Sequence, residues 1–353
     1  MLCKSLAISR WDQQLMWREK REQPTEAVSA RSPRRRTEWL LVNRHIAVWG
    51  LAFLHWLPAI LSIEAISGLG ARIALAAGPR TRRHGRAVAN IARAFPSMSA
   101  EDHNRIALGM WENFGRTVAE GFIIDKIADD ESRLNCEDAD QVRAALSRTG
   151  GAVFVGLHYG NWEATMIPAV RFGEHPIGVY KPLKSRQADA YLRNLRQGLY
   201  PSGLLPASSV TLLKVARHVR DGGSMCMLAD HRDLNGIVVP FFGHPAPSAS
   251  LPALLSIKYD IPIFAARVDR LDGVRFSVHL EEVVVTRTGD KDADVVRATA
   301  AVQAVFERWI SVRPDQWVWF YNRWQTEPKT DTEPSALFLQ SQLQPSKGHQ
   351  PPL

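Results

Sequence analysis

The spacing of apolar residues changes character part-way along this 353-residue chain. Between residues 99 and 120 it is helical. Ile106, Met110, Phe114 and Val118 recur every four positions, and Ser99 with Asp102 has the serine-to-acid spacing of a capping box. From residue 151 onward, short apolar runs bounded by Gly, Pro and Asn alternate with longer amphipathic ones. This pattern predicts strands at 152–157, 177–180, 224–229, 237–239, 262–268 and 274–280, and helices at 186–198, 209–221, 250–259 and 293–312. Strands and helices taking turns in this way predict an α/β class, a sheet flanked by helices.

The two ends break the pattern. Residues 1–40 are polar and basic, finish in "RSPRRRTEW", and predict a disordered arm; they lack the charged–apolar–cleavage order of a signal peptide. Residues 326–353, rich in Gln, Pro, Ser and Thr, predict a disordered tail. Within 41–75 lies "IAVWGLAFLHWLPAILSI", residues 46–63, eighteen uncharged residues that include His55 and Pro58. A spanning helix needs about 20 residues, so this run is at the short limit. Arg34, Arg35, Arg36 and Arg44 precede it, and Arg72, Arg80, Arg82, Arg83 and Arg86 follow it, which favours both ends on the cytoplasmic side. A membrane-associated helix lying at the interface fits those flanks better than a span, with a buried core helix as the alternative. Residues 76–325 then form the single large domain.

Composition narrows the partners. The formal net charge is +8, which points to an anionic partner: nucleic acid, a membrane surface, or a phosphorylated or acidic substrate. Cys3, Cys136 and Cys226 are scattered and odd in number, so neither a disulfide framework nor a zinc motif is predicted. Arg186, Arg193 and Arg196 fall on one face of a predicted helix, and Arg217 with Arg220 offers a second pair; either group could equally be a solvated helix face. Trp317 and Trp319 alternate as in a half-buried strand rather than a stacking platform for bases, so no nucleic acid is expected.

Candidate chemistry concentrates in "GAVFVGLHYGNWEATM", residues 151–166. Val153-Phe154-Val155 reads as a buried strand, Tyr159-Gly160-Asn161 as a turn, and Asn161 as the N-cap of a helix that Trp162 and Glu163 open. His158 then sits at the carboxyl end of a strand, where ligands of α/β sheets bind, and Glu163 sits in the following first turn. A neutral histidine accepts a proton from a hydroxyl if a carboxylate holds its other ring nitrogen, and Glu163 is the expected holder. A structural pairing of the two is the alternative. No G-x-S-x-G, H-E-x-x-H, P-loop or G-x-G-x-x-G occurs in the chain. That leaves base-assisted attack of a substrate's own hydroxyl on an acyl group. His231 and His244 show no third ligand at metal spacing, so neither a metal nor a cofactor is predicted. Phe241-Phe242 could line an acyl-chain groove or belong to the core.

"HYGNWE", then "VYKP" (179–182), "LADHRDLNGIVVPFFGHPA" (228–246) and "YNRWQ" (321–325) resemble, in this order, the late acyltransferases of lipid A biosynthesis. These are the lauroyl/myristoyl transferases of the lysophospholipid-acyltransferase superfamily. "RHGRAVANIARAFPSMSAEDHNRIA" is similar to the family's N-L-x-x-x-F-P-x-x-S lead-in, with Ile91 in place of leucine. The resemblance runs from about residue 41 to 325. It implies a glycerolipid-acyltransferase-like fold, His158 as general base with Glu163 as partner, and Lys181, Arg196 and Asp230 as substrate-pocket residues. It also implies an acyl-acyl carrier protein donor, a phosphorylated glycolipid acceptor (a Kdo-bearing lipid A precursor), and a place on the cytoplasmic face of a bacterial inner membrane. The chain departs from the pattern at His231-Arg232-Asp233 and in "LYPSGLLPASS" (199–209), which lacks the basic residues often found there. An acyltransferase for another glycolipid, of phosphatidylinositol mannoside type, and a non-catalytic lipid-binding protein are the alternatives.

Overall fold

The computed structural model describes residues 60–171, 173–183 and 185–324. The arm, the tail and most of the apolar run 46–63 lie outside the described residues, and the expected membrane helix with them. Of that run, Ile60 (75% exposed) and Leu61 lead into Ser62, whose hydroxyl accepts from the Ala65 N–H and caps the first described helix. Among the described residues no helix is long and apolar enough to cross a membrane.

In chain order the elements are α1 (Ile63–Ala77), α2 (Arg82–Ala94), α3 (Ala100–Glu120), α4 (Ile124–Asp129), β1 (Leu134–Cys136), α5 (Ala139–Thr149), β2 (Val153–Gly156), α6 (Ile167–Arg171) and β3 (Ile177–Tyr180). They continue with α7 (Arg186–Arg196), β4 (Leu204–Pro206), α8 (Ser209–Arg220), β5 (Met225–Leu228), β6 (Ile237–Phe241), β7 (His244–Ser248), α9 (Leu251–Tyr259), β8 (Ile263–Arg270), β9 (Phe276–Val283) and α10 (Lys291–Val312). A short 3-10 helix, Trp162–Met166, precedes α6.

Seven strands form one sheet in the order β1-β9-β8-β2-β5-β3-β4, parallel throughout except for the β8–β9 pair. Strands buried on both faces by crossover helices carry continuous apolar runs, and β2 is buried along its whole length. Side chains of a strand alternate in direction, so Val153 and Val155 pack with α8, α9 and α10 through Val215, Leu255 and Phe306. Phe154 faces the other way, toward Val142 and Leu146 of α5 and Ile124 and Ile127 of α4. This is the layered α/β architecture that the alternating pattern predicts. β6 and β7 stand apart as an antiparallel hairpin. At its tip Phe242 takes φ +50° beside Gly243, a conformation costly for an aromatic residue, and its ring packs 5.3 Å from Phe95 and 5.9 Å from Trp319.

α1 and α3 cross in contact. A side chain on Gly70 would meet the Gly115 carbonyl oxygen at 2.3 Å, so two glycines let the backbones touch. Ser99 caps α3 as expected, accepting from the Asp102 N–H at 3.1 Å. Ile106 and Met110 are buried, but Val118 is 44% exposed. Steps of four drift by about 40° each against a 3.6-residue turn, so by Val118 the stripe has rotated into solvent. Thr117 and Glu120 take its place on the inner face.

Candidate active site

β2 and β5 run side by side in parallel with Gly156 opposite Leu228, and the Ala229 N–H donates to the Gly156 carbonyl at 2.9 Å. Two residues past that pair, His158 and Asp230 reach the same level beyond the carboxyl edge of the sheet. Asp230 Oδ1 meets His158 Nδ1 at 2.8 Å. Asp230 Oδ2 accepts from the His158 backbone N–H at 2.9 Å and from Trp317 Nε1–H at 2.8 Å. Asp230 is fully buried. Burial opposes its ionisation, but His158, His231 and the hydrogen bonds from His158 together hold the carboxyl well below the usual carboxylate range. With a carboxylate fixed on Nδ1, Nε2 of His158 is left as the ring's proton acceptor.

Asp230, not Glu163, therefore holds the histidine, which corrects the sequence expectation. Asn161 does turn the chain as predicted, its Oδ1 accepting from the Glu163 N–H at 3.1 Å. The turn aims Glu163 at α7, where Arg196 grips it with two charge-assisted bonds, Nε to Oε2 at 2.6 Å and NH2 to Oε1 at 2.5 Å. Trp162 Nε1–H adds a bond to Oε1 at 3.1 Å. Arg196 consequently turns inward, away from Arg186 and Arg193, which stay exposed. The three-arginine face thus reduces to two. Lys181 is exposed immediately beyond β3, at the same edge of the sheet, and lies near enough to His231 to disfavour its protonation. Of the five expected site residues, four meet as two pairs, His158–Asp230 and Glu163–Arg196.

The loop that carries His158 is clamped from behind. The Val318 N–H donates to the His158 carbonyl at 3.1 Å and the Gly160 N–H to the Gln316 carbonyl at 3.0 Å. Trp317 thus reaches Asp230 from a bridge with Tyr159, and Trp317 and Trp319 are fully buried rather than strand-like and half-exposed. Gly160 has φ +54°, and a Cβ there would lie 1.6 Å from the Val268 carbonyl oxygen, so only glycine fits this turn. Beneath it Asn113 Nδ2 and Thr117 Oγ1 donate to the Gly160 carbonyl at 3.0 and 2.7 Å, and Asn161 Nδ2 donates to Glu120 Oε2 at 2.8 Å. Glu120 is in turn held by Arg270, NH1 to Oε1 at 2.6 Å and NH2 to Oε2 at 2.7 Å.

Two residues beside His158 were not expected as site residues. His231 stacks on His158 with ring centroids 3.8 Å apart and planes 5° apart, and Tyr321 packs 3.8 Å from His231 on the same ring system. The quoted "LADH" and "YNRWQ" contain both, and the strand ends "VFVG-LH" and "MCML-AD" could have shown the His–Asp pair, each placing its polar residue two positions past the last strand residue. His158, Asp230 and His231 offer ligand atoms within 4.8 Å of one another. An imidazole binds a metal in its ring plane, and two parallel rings stacked at 3.8 Å cannot both aim their lone pairs at one ion. Asp230 is moreover spent on three N–H donors. This arrangement fits a hydrogen-bonded His–Asp pair and not a metal centre.

The family model for bacterial lipid A biosynthesis acyltransferases matches residues 33–326. The chain belongs to that family. No curated sequence shows a significant match to it. As a lipid A biosynthesis acyltransferase it transfers an acyl group from a donor to a lipid A precursor. A cavity of about 620 Å³ lined by His175, Lys214, Arg217 and His218 lies elsewhere: Ser224, on its wall, immediately precedes β5, whereas Asp230 follows it, so this cavity is at the opposite edge of the sheet.

The site also sets an acid limit on the fold of this acyltransferase. Burial, followed by the neighbouring His158, pushes His231 down to about 3. A free histidine titrates near 6.5, so between these values the unfolded chain binds a proton that the folded chain refuses, and stability rises with pH. Asp230, whose folded value is depressed, adds stability above about pH 4 that is lost as pH falls through its folded value. Urea midpoints at pH 4.5 and 7.5 should differ more for the wild type than for His231→Phe, because in that window the unfolded wild type binds a proton at position 231 that phenylalanine cannot bind.

Proposed function

We propose that this acyltransferase moves a fatty acyl chain from acyl-acyl carrier protein to a hydroxyl of a phosphorylated lipid A precursor, with His158 as general base. The observation that carries the mechanism is the buried Asp230 carboxylate on His158 Nδ1, at the carboxyl edge of the sheet. The carboxylate keeps the proton on Nδ1, so Nε2 takes the acceptor hydroxyl's proton as that oxygen attacks the thioester carbonyl. The tetrahedral intermediate then collapses, and the proton on Nε2 passes to the departing thiolate. Asp230 stays ionised throughout and steadies the transient imidazolium.

The chain's formal charge of +8 suits both an acidic carrier and a phosphorylated acceptor. In this reading exposed Lys181 meets one of them directly, while the Glu163–Arg196 pair shapes the wall beside Trp162. The enzyme works at the cytoplasmic face of the inner membrane. Supporting this are the outward Leu69 (41% exposed) and Ile73 (59% exposed) of α1, the arginines at 72, 80, 82, 83 and 86, and the apolar residues 46–59 that lead into α1.

Mass spectrometry of lipid A from cells with and without the gene tests the acceptor: one acyl chain should be missing without it. For the membrane, α1 is packed on α3 and must be kept. A chain shortened to begin at residue 60 should leave the membrane fraction yet retain its fold. Its remaining binding to anionic vesicles should be salt-sensitive, at about 1 kcal/mol per basic residue near the surface. Undiminished membrane association of the shortened chain would sink the anchoring role of residues 46–59.

A further inference from the structure

His158 is fixed at one ring atom by Asp230, but a single hydrogen bond leaves the plane of the imidazole free to rock about it. Something else must set that plane, since Nε2 has to face an incoming hydroxyl. The neighbours of the ring are aromatic. Trp162 is inclined to it at 5.4 Å and Tyr321 at 5.8 Å, but only His231 lies flat on it, at 3.8 Å and 5°. His231 is itself contacted by Tyr321, 3.8 Å away and inclined at 57°, which lies to one side of the stack and 5.8 Å from His158. It cannot drift without moving the tyrosine.

The nitrogen chemistry of His231 does not explain its position. Its Nε2 is enclosed and has no hydrogen-bond partner among the described residues, a cost that a residue kept for its polar atoms would not carry. The contact it makes with His158 is through its face. It also follows Asp230 directly, so the chain segment that delivers the carboxylate to Nδ1 delivers the stacking ring as well.

We propose that His231 is a positioning residue for acyl transfer: stacked on His158 and held from the side by Tyr321, its ring fixes the plane of the His158 imidazole while Asp230 fixes its tautomer. The proposal rests on the reading of His158 as the base. A flat ring that stays uncharged serves this purpose, because a second cation stacked on His158 would oppose the imidazolium that forms when the hydroxyl is deprotonated. Burial and the nearby His158, Arg323 and Lys181 all keep His231 neutral, against the pull of Asp230.

Two variants separate the face of the ring from its nitrogens. His231→Ala removes the stack; His231→Phe keeps a flat ring and deletes both nitrogens. With acyl-acyl carrier protein and lipid A precursor varied separately, His231→Ala should lose about 10- to 100-fold in kcat with both KM values little changed, the cost of a base displaced by up to about 1 Å. His231→Phe should keep kcat within about threefold, since the geometry is preserved. A readout independent of turnover is the proton NMR signal of His158 Nδ1–H in its bond to Asp230. It should persist in the wild type and His231→Phe and broaden or vanish in His231→Ala, with circular dichroism unchanged. A His231→Phe enzyme as slow as His231→Ala would overturn the proposal by showing that a nitrogen acts. Full kcat with an intact Nδ1–H signal in His231→Ala would overturn it by showing that no clamp is needed. A lost signal with full kcat would overturn the reading beneath it, since the clamp would be real and His158 would not be the base.

Discussion

Asp230→Asn should nearly abolish acyl transfer, with a loss on the order of 10³- to 10⁴-fold in kcat, comparable to His158→Ala. The reason lies in what surrounds each oxygen. Oδ2 accepts two N–H donors, from the His158 backbone and from Trp317, so an asparagine must place its carbonyl oxygen there. Its NH2 is then forced toward His158 Nδ1, which can only accept from it. The ring's proton moves to Nε2, and the atom that should take the hydroxyl's proton already carries one. Folding should survive, because the geometry is isosteric. Glu163→Gln should cost much less: it weakens the grip on Arg196 and leaves the base and its tautomer untouched. Steady-state rates of the purified variants decide between the two carboxylates. A Glu163→Gln enzyme slower than Asp230→Asn would return the histidine to Glu163 and refute the assignment.

Arg270→Met should be strongly destabilising. Its guanidinium holds Glu120, Asn113 Oδ1 at 2.9 Å, Thr117 Oγ1 at 3.1 Å and the Gly273 carbonyl at 3.0 Å, and Glu120 has no contact with water. Removing one partner of a buried pair strands the other charge, at a cost of about 3–5 kcal/mol. In a domain of this size that corresponds to a fall in Tm of roughly 10 °C. Pairing the change with Glu120→Leu should recover much of the loss, because the stranded carboxylate goes too. Activity should fall in the single variant even below its melting point, since Asn161 and Gly160 hang on the same network. Calorimetry showing a shift of only 1–2 °C would mean that Glu120 relaxes to solvent.

The sheet was legible because its central strands are buried on both faces: five of the six expected strands lie in it, the sixth is β6 of the hairpin, and the five expected helices all occur. β1, β4 and β7 escaped notice for a physical reason. Three or five residues long, with prolines at 206, 245 and 247, they carry too few alternations to stand out. The site was half legible. His158 stands where a strand meets a turn, a local signal. Its partner depends on which strand lies next to β2, and although both strand ends carry a polar residue, their adjacency across 72 residues is not written at either one alone. Glu163, five residues on, was the nearer carboxylate, and the Asn161 turn rotated it away. The expected second basic pair was divided as well, Arg217 lining the far cavity while Arg220 meets Asp221 at 2.9 Å.

The Trp317 bond to Asp230 also bears on synthesis of the chain at the ribosome. His158 and Asp230 emerge early, but the strap that carries Trp317, holds the His158 carbonyl through Val318 and ties down Gly160 is among the last described segments to appear. Strand β8, which flanks β2 on its other side, is also late. Until both arrive, the carboxylate lacks one of its donors and the turn has no backing. The His158–Asp230 pair therefore gains its full set of hydrogen bonds only with the final closure of the fold.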